Sequence, residues 1–360
     1  MNKITKILLV AFASVTLTAN AIAGELSISG GATARVRINS SDSASSAVNA
    51  GKGLGVTNEF SLGASGELDN GYTWNYAMDI DPDAVSATAG SVDVDDVKLT
   101  LTTDYGTVGM FISEGSLSTK YGWDTSAYGV ATDTGDGFGF IHPTNISSYD
   151  NIQYHVPADL LPYGLTAKVA HSFDGSSKYS SGGSPTANSG AATEMQGITE
   201  YKVTAAPYEG LSVGANYMQY STYASESEKE GGAWYAKYAY GPVTIGYGKS
   251  YQTDNISTLT DAYAAAADTA LAGYESVENT SYGIGFAVND DLSVSYTREL
   301  SNPDAQTAAT ATFDLEINSI QAAYTMGGMT LSVSQDKASN TDYVSARDEK
   351  ETLFAVSMAF

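Results

Sequence analysis

The last ten residues, Glu351-Thr352-Leu353-Phe354-Ala355-Val356-Ser357-Met358-Ala359-Phe360, set the interpretation of the whole chain. Large apolar side chains occupy every second position from Phe354 to Phe360, and small or polar side chains lie between them. Successive side chains of a β-strand point to opposite faces, so this stretch predicts a strand with one apolar and one polar face. If the same alternation recurs along the chain, the fold consists of such strands.

The alternation does recur, and breaks of two kinds separate its repeats. Fifteen breaks join sixteen strands, and short turns at one end with long loops at the other are typical of outer-membrane β-barrels, as is an even strand number. Two stretches, 194–204 and 312–324, alternate less cleanly and predict a bulge or a change of phase. Seven short breaks contain Gly, Pro, Asn or Asp and lie at 68–71, 103–106, 161–164, 207–210, 240–242, 289–291 and 326–328. Eight longer breaks rich in Ser, Thr, Ala, Gly and Asp lie near 39–54, 81–93, 113–148, 174–194, 221–231, 252–276, 301–311 and 336–348.

Residues 1–23 have the pattern of a secretory signal peptide. Lys3 and Lys6 give a positive start, an apolar run follows from Ile7 to Leu17, and Ala21-Ile22-Ala23 supplies a small-x-small cleavage site. The run is too short for a spanning helix, which needs about 20 residues. The pattern predicts an exported protein whose mature chain, residues 24–360, is one barrel domain.

Composition narrows the classes of function. The chain has no Cys, 36 Gly, 25 Tyr and only 8 Pro, which favours strands and tight turns. Removal of Lys3 and Lys6 with the leader leaves 15 basic against 41 acidic residues, a net charge of −26. Nucleic acid and anionic surfaces are poor partners for such a chain, whereas metal cations and cationic solutes suit it.

Lipid on the outside of such a barrel would explain where the charges and tyrosines lie. With the apolar phase turned outward, six bases fall on the inward phase, and a base facing lipid at mid-depth would cost about 2–4 kcal/mol. These bases are Arg35, Arg37, Lys98, Lys168, Lys202 and Lys237.

Six of the seven short turns also have a Tyr within or beside them, which predicts an aromatic girdle at a membrane–water interface. These tyrosines are Tyr72, Tyr105, Tyr163, Tyr208, Tyr240 and Tyr324.

The third long loop, from about Ser113 to Asp150, carries more hydrophobic bulk than a freely solvated loop would. Tyr121, Trp123 and Phe138 lie within it, and its charge is mainly acidic. We expect it to fold into the lumen, pack on the wall and narrow the passage.

Signal peptide, sixteen strands, a long third loop and a C-terminal Phe together resemble the general trimeric porins of Gram-negative bacteria. The Gly-rich, Arg-poor character is more similar to alphaproteobacterial porins than to enteric ones. The resemblance implies passive diffusion of ions and small hydrophilic solutes, a homotrimer in the outer membrane, no enzymatic activity, and Phe360 as part of the signal read by the barrel-assembly machinery. In that family, acids of the third loop face bases of the wall across a constriction. By position, the acids here would be Glu114, Asp124, Asp133 and Asp136, and the bases Arg35, Arg37 and Lys98.

Other chemistry is weakly marked. The three His residues, His142, His155 and His171, show no metal-ligand spacing, and no cofactor is expected. Acidic loops such as Asp93–Asp96 offer oxygens for a loosely bound Ca²⁺, although a solvated acidic rim is the simpler interpretation.

The sequence therefore predicts an all-β, sixteen-stranded transmembrane barrel that acts as a cation-preferring diffusion channel. The preference follows from the net charge of −26. Three alternatives remain open: a substrate-specific channel, a non-conducting adhesive or structural barrel, and a soluble exported β-protein.

Overall fold

The structure is a computed structural model that describes residues 26–41, 51–81, 93–135, 137–173, 197–221, 230–253, 274–305 and 312–360. The predicted leader, Asp136 and most of the predicted long loops lie outside these residues. None of the helices among the described residues is long and apolar enough to cross a membrane.

The described residues form sixteen strands that close into one barrel. Each strand pairs antiparallel with its neighbours in sequence, and β1 pairs with β16 to complete the ring. The strands are β1 Leu26–Ser41, β2 Gly51–Glu67, β3 Thr73–Asp81, β4 Asp93–Thr103, β5 Gly106–Ile112, β6 Asn151–His155, β7 Thr166–Ser172, β8 Gly197–Tyr208, β9 Leu211–Ser221, β10 Glu230–Tyr240, β11 Val243–Thr253, β12 Tyr274–Ala287, β13 Leu292–Ala305, β14 Leu315–Met326, β15 Met329–Ser339 and β16 Glu349–Ala359.

The predicted all-β fold with sixteen antiparallel strands is therefore confirmed. All seven predicted short turns fall between paired strands. The β6–β7 connection is the longest of them, because residues 156–165 include the short 3-10 helix Ala158–Leu160. β1 and β2 extend further than expected, into the predicted loop at 39–54. The other helices are α1, Ala131–Thr134, and the 3-10 helices Gly137–Gly139, Ile146–Ser148 and Thr341–Tyr343.

The two faces of the wall differ as the alternation predicts. On β16, Phe354 and Met358 are 48% and 51% exposed, and Phe360 just after it is 65% exposed, whereas Leu353 and Glu351 on the other face are buried. The same apolar, exposed face continues on other strands, for example through Leu54 and Ile320. These apolar rows are thus exposed and do not pack against one another in a dry centre. All six inward-phase bases are partly buried.

The exposed face also carries the predicted tyrosines and a paired charge. Tyr105, Tyr163, Tyr208 and Tyr240, all beside short turns, are each at least 74% exposed.

Halfway along β13, Arg298 contacts Glu316 at 2.6 Å. This pairing neutralises an arginine on the exposed face. Between Arg298 and the short turns, that face is otherwise apolar.

The two stretches that alternate poorly have different explanations. β8 does shift its register against β9 between Ala205 and Tyr208, just beyond 194–204. β14 pairs with both neighbours without a register shift. The bulge or change of phase predicted at 312–324 is therefore wrong. The pattern is blurred because Leu315 and Ile317 are apolar residues on the polar face, where they contact a segment that packs on it.

Candidate functional site

The segment of residues 113–150, which joins β5 to β6, packs along the polar face of the wall. Its first arm, residues 113–129, makes hydrogen bonds to β6, β9, β10, β13 and β14. Thr119 donates from its N and Oγ1 to Asn216 Oδ1 on β9, at 2.8 Å each. Further along, Ala127 N donates to Ser295 Oγ at 2.8 Å, and Tyr128 N donates to Gln321 Oε1 at 2.9 Å. The arm therefore follows the wall from β9 to β14.

The second arm, residues 138–150, returns along the same strands closer to their long-loop ends. Asn279 Nδ2 donates to Ile141 O at 2.9 Å, and Thr144 N donates to Gln252 Oε1 at 2.8 Å. Ile146 N donates to Glu200 Oε2 at 2.7 Å. On β12, Asn279 lies four residues from Gly283, beside which the first arm passes. The two arms thus lie on the wall at two different heights.

Two buried apolar clusters anchor the segment, one near its two ends and one at its middle. The first contains Leu117 and Ile146 of the segment with Ile198 and Met218 of the wall. The second contains Ala131 and Phe138 of the segment with Leu315, Ile317 and Tyr343. Ile198, Leu315 and Ile317 are the residues that disturb the alternation of their strands. Burial of such side chains stabilises by roughly 1.5–3 kcal/mol each, so the segment is held firmly.

Glycines on the polar face make room for the first arm. A methyl group at Gly246 would clash with the carbonyl of Trp123, and one at Gly248 would lie 2.7 Å from the Trp123 ring. On β12, Gly283 and Gly285 accommodate Thr125 in the same way. Two glycines at alternate positions of adjacent strands are a signal of close backbone approach. Sequence reasoning missed this signal, which is present in Gly246-Tyr247-Gly248 and Gly283-Ile284-Gly285.

The structure brings one pair of the predicted constriction residues together. Lys98 Nζ on β4 lies 3.6 Å from Glu114 Oε1, at the start of the segment. Asp124 lies farther along the first arm, where its Oδ1 accepts from Ser126 N at 2.7 Å. Asp133 lies in α1. Asp136 lies outside the described residues.

The two predicted arginines differ in their surroundings. Arg37 Nε lies 2.9 Å from Glu351 Oε2 across the β1–β16 seam, so its partner is a wall residue that sequence reasoning had not selected. Arg35 Nε has no hydrogen-bond partner among the described residues. Glu351 faces Asp336 directly in the β15–β16 register, and both are buried. Sequence reasoning missed these buried acids of the polar face, and their alternation with apolar residues was the available signal.

The histidines give no sign of a metal or catalytic centre. His142 is half-buried between the rings of Tyr121 and Phe140, with centroids 5.1 and 4.7 Å away. Its burial, with the positive charge of Lys120 nearby, lowers the pKa of His142 well below its ordinary value. Among the described residues, no group of three or more His, Asp or Glu side chains is arranged to hold a metal ion. The side chains of Asp93 to Asp95 lie outside the described set, so the calcium site stays a prediction.

One sequence feature has the form of a hydrolase motif, Gly210-Leu211-Ser212-Val213-Gly214. In hydrolases this pattern needs a sharp strand-to-helix turn that exposes the Ser. Here Ser212 lies at the start of β9, after a hairpin, and its Oγ is 2.9 Å from Tyr235 OH. The geometry is that of an ordinary strand residue.

Comparison with known proteins gives a likeness of fold. No protein-family model and no curated protein matches the sequence. Salmonella typhi OmpF in complex with daunomycin gives a TM-score of 0.63 at 11% identity, over 94% of this chain and 98% of that one. The anion-selective porin from Comamonas acidovorans gives 0.63 at 12% identity, over 94% and 100%. A variant of the Rh. blastica porin gives 0.58 at 12% identity, over 93% and 100%. At these identities the chain shares the porin fold.

Proposed function

We propose that the chain is an outer-membrane diffusion channel of the general porin type, of the alphaproteobacterial kind, that passes ions and small hydrophilic solutes. The observation that carries the proposal is the contrast between the two faces of a closed barrel. An exposed apolar face suits hydrocarbon, and a polar face enclosed by sixteen strands suits a water-filled lumen. The backbone polar groups pair between strands, as spanning lipid requires.

The 113–150 segment then lies within the lumen. Its first residues contact β4 and β6, and the rest of its contacts run along β8 to β16. The passage therefore lies between the segment and the wall formed by β1 to β4. Arg35, Arg37 and Lys98 line that wall, and Glu114, Asp124 and Asp133 belong to the segment. These residues are the proposed constriction, with Asp136 as a further acid of the same segment.

Cation preference is proposed from the net charge of −26 of the mature chain and from the acids of the segment. The neighbour from Comamonas acidovorans is described as anion-selective, so the fold does not fix the sign of selectivity. The sign of the selectivity must instead come from the charged side chains along the passage. A reversal potential in a KCl gradient across a planar bilayer measures the preference directly, and an anion-favouring sign would contradict it.

Biogenesis and assembly follow from the same proposal. The chain would be exported, cleaved after Ala23 and inserted by the barrel-assembly machinery, which would read the last strand and Phe360. A homotrimer would bury part of the apolar outer face, and the small outward residues Ala32 and Ala34 suit close contact between walls. Cross-linking in mild detergent that yields monomers alone would contradict the trimer.

Single-channel recording tests the function itself. Purified, detergent-extracted protein added to a planar bilayer in 1 M KCl should produce stepwise conductance increases. A folded barrel that inserts without conductance would favour the adhesive or structural alternative. Saturation by one solute class with little general conductance would favour the substrate-specific channel.

A further inference from the structure

A row of basic side chains crosses three strands on the polar face. His155 on β6 pairs in register with Lys168 on β7, and Lys168 pairs with Lys202 on β8. All three side chains are half-buried. Directly opposed side chains have Cβ atoms only about 4.5–5.5 Å apart, and like charges in such positions destabilise a sheet. The wall therefore holds two ammonium groups together at a cost in stability.

Glu200, an acid on the same face, offsets the positive charge of this row only in part. Glu200 lies two residues before Lys202 on the same face, but its carboxylate is buried and accepts hydrogen bonds from Ile146 N at 2.7 Å and Asn216 Nδ2 at 2.8 Å. Within the ranges that the structure describes, no carboxylate lies within 4 Å of either Lys168 Nζ or Lys202 Nζ. The local charge is positive in a chain that is strongly acidic overall.

A cavity of about 370 Å³ adjoins the row, between the wall and the first arm of the segment. Lys202, Thr204 and Tyr235 line it from the wall, and Ser116, Ser118 and Lys120 line it from the segment. Hydroxyl groups and an ammonium group are the donors that bind oxyanions well. The space is large enough for a small oxyanion with part of its hydration shell.

We infer that Lys168 and Lys202, with the hydroxyl groups of this cavity, form a binding subsite for small oxyanions such as phosphate or carboxylates. The inference rests on the proposed channel function, which brings solutes to the cavity. The subsite lies between the segment and β7 to β10, away from the proposed constriction beside β1 to β4. It would retain an anionic solute briefly within a lumen whose net charge favours cations.

Single-channel recording with inorganic phosphate tests the subsite. Conductance is measured in KCl at constant ionic strength while phosphate is added. The native protein should show a saturable decrease of conductance with excess current noise. Removal of both charges in Lys168→Met/Lys202→Met should raise the half-saturating phosphate concentration about 25-fold, since one charge at about 4 Å in a water-like medium contributes roughly fivefold.

Two controls separate charge from damage to the fold. Lys249→Met removes a positive charge from the exposed face of β11 and should leave phosphate saturation unchanged. Lys168→Arg/Lys202→Arg keeps both charges and should keep saturation within about twofold of the native value, consistent with the guanidinium group's fit to oxyanions. Full KCl conductance without phosphate saturation, or saturation unchanged in the double Met variant, would overturn the subsite while leaving the channel intact. Absence of KCl conductance in the native protein would instead refute the channel.

Discussion

Gly30 and Phe360 exchange both of their backbone hydrogen bonds, with Gly30 N to Phe360 O at 2.8 Å and Phe360 N to Gly30 O at 2.9 Å. The terminal residue is thus the last rung of the seam between β1 and β16. Its ring packs edge-on against Phe60, with centroids 5.7 Å apart, and Phe60 is the register partner of Gly30 on the other side. The missing side chain of Gly30 gives the two rings room to meet.

Substitution at this rung should weaken the barrel. A methyl group in Gly30→Ala would lie 2.8 Å from both the Phe360 ring and Glu59 O, so the seam must shift. In Gly31→Ala the nearest atom, Met358 O, is 3.5 Å away, an ordinary contact. Gly30→Ala should lower the unfolding temperature, measured by heat-dependent gel mobility, and Gly31→Ala should not. Phe360→Ala should lower the free energy of unfolding by about 1 kcal/mol, because the contact between the two rings is lost. Equal behaviour of the two Gly variants would contradict this account of the seam.

Gly246→Val should displace the first arm of the segment. The added side chain occupies the position of the Trp123 carbonyl, and overpacking of this kind costs roughly 1–3 kcal/mol. Trp123 is buried, so its displacement should shift its fluorescence emission to longer wavelength. The measurement requires Trp74→Phe and Trp234→Phe, because the chain has three Trp. Gly55→Val on β2 is the matched control, since nothing lies within 4 Å of a Cβ there. An unshifted emission in Gly246→Val would mean that the arm does not rest on this wall.

Removal of the bases on the wall opposite the segment should increase cation preference. Arg35→Gln/Lys98→Gln deletes two positive charges that repel cations entering the proposed constriction. The Lys98–Glu114 pair is partly exposed, so its loss should cost at most about 1 kcal/mol of stability. Reversal potentials in a KCl gradient should move towards the potassium equilibrium potential, most strongly at low salt. Lys249→Gln, on the opposite face, should not move them. An unchanged potential in the double variant would place the constriction elsewhere.

Arg37→Gln should destabilise the barrel more than its partial exposure suggests. It leaves the buried Glu351 without its partner at 2.9 Å and beside Asp336, at a cost of about 1–3 kcal/mol. Arg37→Gln/Glu351→Gln should recover most of this loss, because no buried charge at position 351 then remains. Unfolding in urea from lipid vesicles measures both variants. Additive losses in the double variant would show that the two side chains do not act as a pair.

Acid should loosen the segment through His142. Burial lowers the pKa of His142 well below 6.5, while a displaced and hydrated His142 would regain a pKa near 6.5. The packed arrangement is therefore fully stable above pH 6.5 and loses up to about 1.4 kcal/mol per pH unit below it. Lys120 and Tyr121 are the titratable groups facing the ring, and the Lys120 charge adds to the penalty.

Hydrogen exchange of the segment at pH 5 and pH 7.5 measures the effect. His142→Phe should remove most of the difference between the two pH values, because Phe fills the same space without a charge. His155→Gln, on the wall, should preserve it. A native segment equally protected at both pH values would contradict the prediction.

The strands and turns could be predicted from the sequence, because alternation and turn chemistry are local. The alternation of neighbouring residues shows that Leu353 and Phe354 lie on opposite faces of their strand. The contacts of the segment could not be predicted from the sequence, because they join residues far apart in the chain. Examples are the hydrogen bonds of Ile146 with Glu200 and of Tyr128 with Gln321. The partner of Arg37 was also missed, because the seam register alone determines it. Gly246 and Gly248 carried a readable signal, yet local reasoning treats glycine mainly as a turn residue.

The Arg37–Glu351 contact joins the first strand to the last. A chain emerging from its N-terminus carries Arg37 long before Glu351 exists, and an incomplete sheet offers that guanidinium no such acid. The salt bridge therefore forms only when the ring is whole, so it distinguishes a finished cylinder from every open intermediate that precedes it.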